Sequence, residues 1–97
     1  MALEKVIEYD KIEVVGKYQI VQVRKATVIK EDGKELNRSF HRYMLEPGSL
    51  DASNNLVDTD LSAQPDSVKN VCNGVWTTEV KNAWKDYLIE VKNKQPR

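Results

Sequence analysis

Thr27-Val28-Ile29-Lys30-Glu31-Asp32-Gly33-Lys34-Glu35-Leu36 is the stretch that decides how this chain folds. Asp-Gly between two β-rich runs marks a two-residue type I′ turn, because both central residues must take positive φ. Upstream, Tyr18 to Lys30 is rich in Ile, Val, Thr and Tyr and holds no Gly or Pro, which suits a long strand. Downstream, Glu35 to Leu45 returns as its partner. A two-residue turn sets Glu31 opposite Lys34, Lys30 opposite Glu35 and Ile29 opposite Leu36, and the charge pairs are complementary. Carried down the ladder, this register puts Arg24 opposite His41 and Val23 opposite Arg42.

Working outward, Lys5 to Val15 also reads as extended, but its alternation changes phase. Ile7 and Tyr9 fall on one face, Ile12 and Val14 on the other, and a bulge near Asp10-Lys11 reconciles them. Gly16-Lys17 connects this segment to the next. The expected unit over 1–46 is a three-stranded antiparallel meander. Residues 47–64 read as a long acidic loop, a length that usually signals function or mobility.

From 65 onward the period becomes helical. Val68, Val71, Cys72, Val75, Trp76, Val80, Ala83, Trp84, Tyr87, Leu88 and Val91 follow i, i+3, i+4 spacing, with Pro65 and Asp66 as start signals. The preferred reading is one helix over about 66–93, within a helical region 65–94. The alternative is a break at 73–78, because Gly74 weakens a helix interior and Thr77 or Thr78 suits a second N-cap. One helix of that length, about 42 Å, matches a 12-residue strand of about 40 Å, so the helix is expected along the hairpin. Residues 95–97 read as a frayed tail. The fold class is α+β, in one small domain of 97 residues.

Composition narrows the function. Fifteen Lys+Arg balance fifteen Asp+Glu, with 40% hydrophobic residues, which excludes a disordered or strongly basic chain. The zero is a cancellation of blocks. Residues 1–16 hold two bases and four acids, 17–45 seven and three, 46–66 none and five, 67–97 six and three. The acidic loop is therefore expected to neutralise the basic hairpin, within one chain or between subunits. One cysteine excludes a disulfide scaffold and favours a reducing compartment. Acids within the first ten residues argue against a signal peptide, and no apolar run approaches the ~20 residues of a membrane span.

No catalytic set is read. Cys72 lies on the apolar helical stripe, and His41, the sole histidine, is expected to share a polar strand face or pair with a carboxylate. A deep polar pocket around His41 would argue otherwise. One His and one Cys cannot make a structural zinc set, and Asp51 to Ser62 lacks the sixth-position Gly and twelfth-position Glu of a calcium loop. No glycine spacing cradles phosphate, so no cofactor is implied. The candidate binding residues are the basic hairpin cluster: Arg24, Lys25, Arg38, His41 and Arg42, interleaved with Phe40 and Tyr43. The register expects Arg24 and His41 on one face and Lys25, Arg38 and Arg42 on the other. It likewise sets Val21, Val23, Ile29, Leu36, Phe40 and Met44 against Tyr18, Ile20, Ala26, Val28, Tyr43 and Leu45. Both faces are partly apolar and one helix covers one of them, which points to self-association or docking.

Asp10-Lys11-Ile12-Glu13-Val14, the hairpin from Gln22 through Glu31-Asp32-Gly33 to Arg42, and Val71-Cys72-Asn73-Gly74-Val75-Trp76-Thr77 carry a resemblance. The chain resembles a family of small uncharacterised proteins encoded by bacteriophages of marine bacteria, cyanophages included. It departs from that pattern in a longer acidic loop around 50–62. The resemblance implies a phage product in the host bacterial cytoplasm or the virion. It carries over no catalytic residue. The function expected is non-enzymatic, through contacts with itself as a homo-oligomer or with other phage proteins, with nucleic-acid or host-factor binding by the hairpin as the alternative and no membrane partner.

Overall fold

The computed structural model describes residues 2–94, and the expected tail at 95–97 lies outside them. Three long strands come first: β1 (Leu3–Val15), β2 (Ile20–Glu31) and β3 (Lys34–Leu45). A small pair follows, β4 (Gly48–Leu50) and β5 (Leu56–Asp58), then α1 (Asp66–Val75) and α2 (Thr78–Lys94). The long strands form an antiparallel meander in the order β1-β2-β3, and the architecture is α+β.

The Asp-Gly turn forms as its chemistry requires, with Asp32 at φ 51° and Gly33 at φ 84°. Glu31 faces Lys34 and Lys30 faces Glu35. There the expected register ends. Ile29 faces Asn37, so Leu36 is an unpaired bulge residue and everything beyond it slips by one. Arg24 faces Arg42, Lys25 faces His41, and Val23 faces Tyr43. The second bulge is the expected one. Tyr9 faces Lys25 and Lys11 faces Arg24, leaving Asp10 unpaired. This extra residue brings Ile7, Tyr9, Ile12 and Val14 onto one face.

The bulges define two faces. The first, the helix face, carries Ile12, Val21, Val23, Tyr43 and Leu45. Val68, Cys72 and Trp76 of the α1 segment pack there with Val21 and Val23, all five buried. Each fully buried valine contributes about 1.5–3 kcal/mol over an exposed one, so this cluster anchors α1. The second, open face carries Ala26, Val28, Phe40 and Met44. The expected grouping of Phe40 and Met44 with Val21 and Val23, and of Tyr43 and Leu45 with Ala26 and Val28, is therefore corrected by the Leu36 slip.

The helical region takes its alternative form. The helix stops at Val75, Trp76 turns out of it, and Thr77 caps α2, its Oγ accepting the Val80 N–H at 3.2 Å. The Trp76 indole donates to the Gln19 carbonyl at 2.7 Å, which fixes the turn between helices against the β1–β2 turn. α2 does not run along the hairpin. Its Trp84 donates to the Gly48 carbonyl at 2.8 Å. Trp84 stacks on Tyr87 and meets Tyr18 edge-on, with the three ring centroids 5.0–5.4 Å apart. Gly48 lets the strands come this close, since a Cβ there would meet the Val57 carbonyl oxygen at 2.6 Å.

Both helices thus gather at one end of the sheet, and the hairpin end projects beyond them. The molecule measures 58 × 31 × 22 Å, with a radius of gyration of 17.7 Å. A compact domain of this length has about 12.5 Å.

Candidate functional site

The open face of the projecting sheet is where the candidate residues can be judged. Side chains on it alternate with those of the helix face, so the Leu36 slip redistributes the basic cluster. Arg24, Arg38 and Arg42 share the open face with Phe40. Lys25 and His41 sit on the helix face, beside Tyr9 and Tyr43. The expected sharing of Arg24 with His41, and of Lys25 with Arg38 and Arg42, does not hold. The cluster is two clusters, one per face.

On the open face most of the positive charge is already spent. Arg24 grips Asp10 with two bonds, Nε–Oδ1 at 3.0 Å and Nη2–Oδ2 at 2.9 Å. Arg38 grips Glu35 the same way, at 3.1 and 2.8 Å, and reaches Glu8 at 3.4 Å and Asp10 at 3.7 Å. Such two-pronged pairs fix geometry better than single contacts. The bonded Arg24 guanidinium holds the Asp10 carboxyl below its usual range, and Arg38 does so for Glu35. Both arginines are pushed up in turn by those carboxylates. The Arg24 guanidinium also lies 4.4 Å from the centre of the Phe40 ring.

These partners come from β1 and from Glu35, not from the acidic loop, which corrects the expected neutralisation within one chain. The loop is itself ordered as β4, β5 and their turn. Asp51 accepts the Ser53 and Asn55 backbone N–H groups at 2.8 and 2.9 Å, which hold its carboxyl below the usual range. Asp58 pairs with Lys81. Among the described residues no group of three or more potential ligands could hold a metal ion.

Ala26 and Val28 lie on the open face yet are fully buried, although no helix covers them. Their cross-strand neighbours do so: Glu8 and Phe40 flank Ala26, and Val6 and Arg38 flank Val28. Arginine stems cover apolar ground while their heads stay with the acids. Above this layer Phe40 remains 50% exposed and Met44 57% exposed. Toward the helix end a groove of about 450 Å³ opens between Lys11, Gln22, Arg24, Arg42 and Met44. The face as a whole holds equal charge, with Glu4, Glu8, Asp10, Glu13 and Glu35 against Lys11, Arg24, Lys30, Arg38 and Arg42. Among the described residues neither Arg42 nor Glu4 is ion-paired, and they lie at opposite ends of the face. The sequence did not single out Asp10, Glu8 or Glu35 as partners. The phase change at Asp10 was the available signal, since a bulge residue re-aims its side chain.

The helix face offers a weaker site. His41 is exposed and stacks on Tyr43 at 5.9 Å. They line a shallow depression with Tyr9, Lys25, Ala63 and Gln64, which has no carboxylate in its lining. Tyr43 donates its hydroxyl to Gln64 Oε1 at 2.6 Å, and burial pushes its pKa up. Cys72 is fully buried in the core, and that burial raises its thiol pKa, the opposite of what a nucleophile needs. No described helix is long and apolar enough to cross a membrane. No protein-family model matches the chain, and comparisons with curated proteins and with solved structures gave no match.

Proposed function

We propose that this chain is a non-enzymatic phage protein that acts by protein–protein contact, in the virion or as an accessory factor in the infected cell. The observation that carries the contact reading is the open face. Its guanidinium groups are mostly occupied by its own acids, and it presents exposed Phe40 and Met44 on a sheet no helix covers. A polyanion gains little from such a face, because a phosphate bound at Arg24 or Arg38 would have to displace a carboxylate. A protein surface gains from it, because an aromatic, a methionine and arginines are the residues enriched in interface cores. The buried Cys72 and the open setting of His41 support the non-enzymatic part. The phage origin rests on the resemblance of the three sequence segments.

The alternative, nucleic-acid or host-factor binding, is favoured by one observation: Lys25 and the His41–Tyr43 stack lie together with no acid between them. One experiment separates the readings. A photo-crosslinker at Met44 in infected cells is expected to label protein, and mass spectrometry of purified particles tells virion from accessory use. Steeply salt-dependent binding of single-stranded DNA, with no protein cross-link, would overturn the contact reading.

A further inference from the structure

We propose that the partner of the open face is a second copy of this chain, stacked face to face about a two-fold axis. The inference rests on the contact reading and names its occupant. Three features argue for a second copy.

The first is area. The accessible surface is 6855 Å². A folded monomer of 11.1 kDa is expected to expose about 5,700 Å². The surplus is about 1,200 Å², against the ~800 Å² that each partner buries in a standard interface. The face itself measures about 40 Å by 14 Å, from the length of β2 and three strand spacings, or on the order of 560 Å² in projection. Two such faces amount to about 1,100 Å², just above the ~1,000 Å² total that a specific contact should clear and below the standard size, and neither is used within the chain.

The second is charge. Equal numbers of acids and bases on the face let two copies meet without net repulsion. A two-fold contact is self-complementary, so each end of the face must suit the other end. Of the three charges on the face without an ion pair among the described residues, Arg42, Glu4 and Lys30, the first two obey this condition. Arg42 belongs to the row of Arg24, and Glu4 to the row of Lys30. These rows are six residues apart along β2, about 20 Å. An axis in the contact plane, through the middle of the face and perpendicular to the line joining Arg42 and Glu4, lays Arg42 of each copy over Glu4 of the other, with the strands of the two sheets crossing obliquely. The third feature is apolar: the same axis passes close to Phe40, so both half-exposed rings are enclosed in the contact.

Sedimentation equilibrium of the full chain, from about 1 to about 500 μM, tests this. The wild type is expected to move from monomer toward dimer across that range. Phe40→Glu and Arg42→Glu should each weaken dimerisation by about tenfold or more, which converts to about 1.4 kcal/mol per tenfold. Adding Glu4→Arg to Arg42→Glu should restore it, an effect that mere structural damage does not give. Ile7→Glu, on the opposite face, should leave it unchanged. A wild type that stays monomeric throughout overturns the proposal, as does a dimer that the Arg42 and Glu4 exchange does not affect. A strict monomer whose Met44 still cross-links to another protein ends self-association and leaves the contact reading standing. A strict monomer that binds single-stranded DNA with steep salt dependence ends both.

Discussion

Replacing Trp84 with Phe tests how the second helix is held. The indole N–H donates to the Gly48 carbonyl at 2.8 Å, and the ring is 7% exposed. Phenylalanine keeps an aromatic ring against Tyr18 and Tyr87 but has no donor. The Gly48 carbonyl is then left unpaired in a buried position, which costs about 1–3 kcal/mol. The smaller ring forfeits about 1 kcal/mol more of apolar burial. Trp84→Phe is expected to destabilise the chain by about 2–4 kcal/mol, a large part of the 5–15 kcal/mol a small domain has. Urea unfolding followed by circular dichroism and by the fluorescence of the remaining Trp76 measures it. The midpoint should fall with little change in the slope, because the folded core stays the same size. A loss below about 0.5 kcal/mol would refute the account, since a buried carbonyl stranded in this way cannot cost so little. It would mean that α2 is not docked on β4 through this indole.

Other consequences follow from the same geometry. Thr77→Ala removes the cap on the Val80 N–H and is expected to cost about 1 kcal/mol by urea unfolding, whereas Thr77→Ser should cost little. Asp10 and Glu35 have lowered pKa values, so their ion pairs stabilise the folded state fully above the ordinary carboxylate range near pH 4 and lose that contribution as pH falls below it. Amide protection factors in β2 and β3, corrected for the intrinsic pH dependence of exchange, should therefore fall below about pH 4 and stay flat from 5 to 7; a loss centred between 5 and 7 would contradict it. Cys72 should resist a thiol reagent at pH 8 in the native protein and react on unfolding, and rapid native labelling would contradict the core position.

Much of the fold was legible because short-range chemistry dictates it. Asp32-Gly33 could only be a tight turn, and the broken alternation between Ile7-Tyr9 and Ile12-Val14 required a bulge at Asp10. The Leu36 bulge left no such trace. The charge pairs that set the register lie between the turn and the slip, and both faces of β3 are partly apolar, so neither register is penalised by pattern. That one-residue slip alone exchanged the faces of three of the five candidate residues, Arg38, His41 and Arg42. The helix break was legible only as an alternative, since the apolar stripe keeps its phase across it. What decides the break is distant in sequence: the Gln19 carbonyl that takes the Trp76 indole. The match between helix and hairpin length misled for a similar reason. Tyr18 and Gly48 draw α2 away from the sheet, and no local periodicity encodes either contact.

Both the contact reading and the dimer depend on a sheet that projects beyond its helices, and small-angle X-ray scattering measures that directly. At extrapolation to zero concentration the chain should show a radius of gyration near 17.7 Å, slightly enlarged by hydration. A value near 12.5 Å, that of a compact domain of this length, would mean that the helices or a fold of the hairpin cover the open face, and would contradict the account.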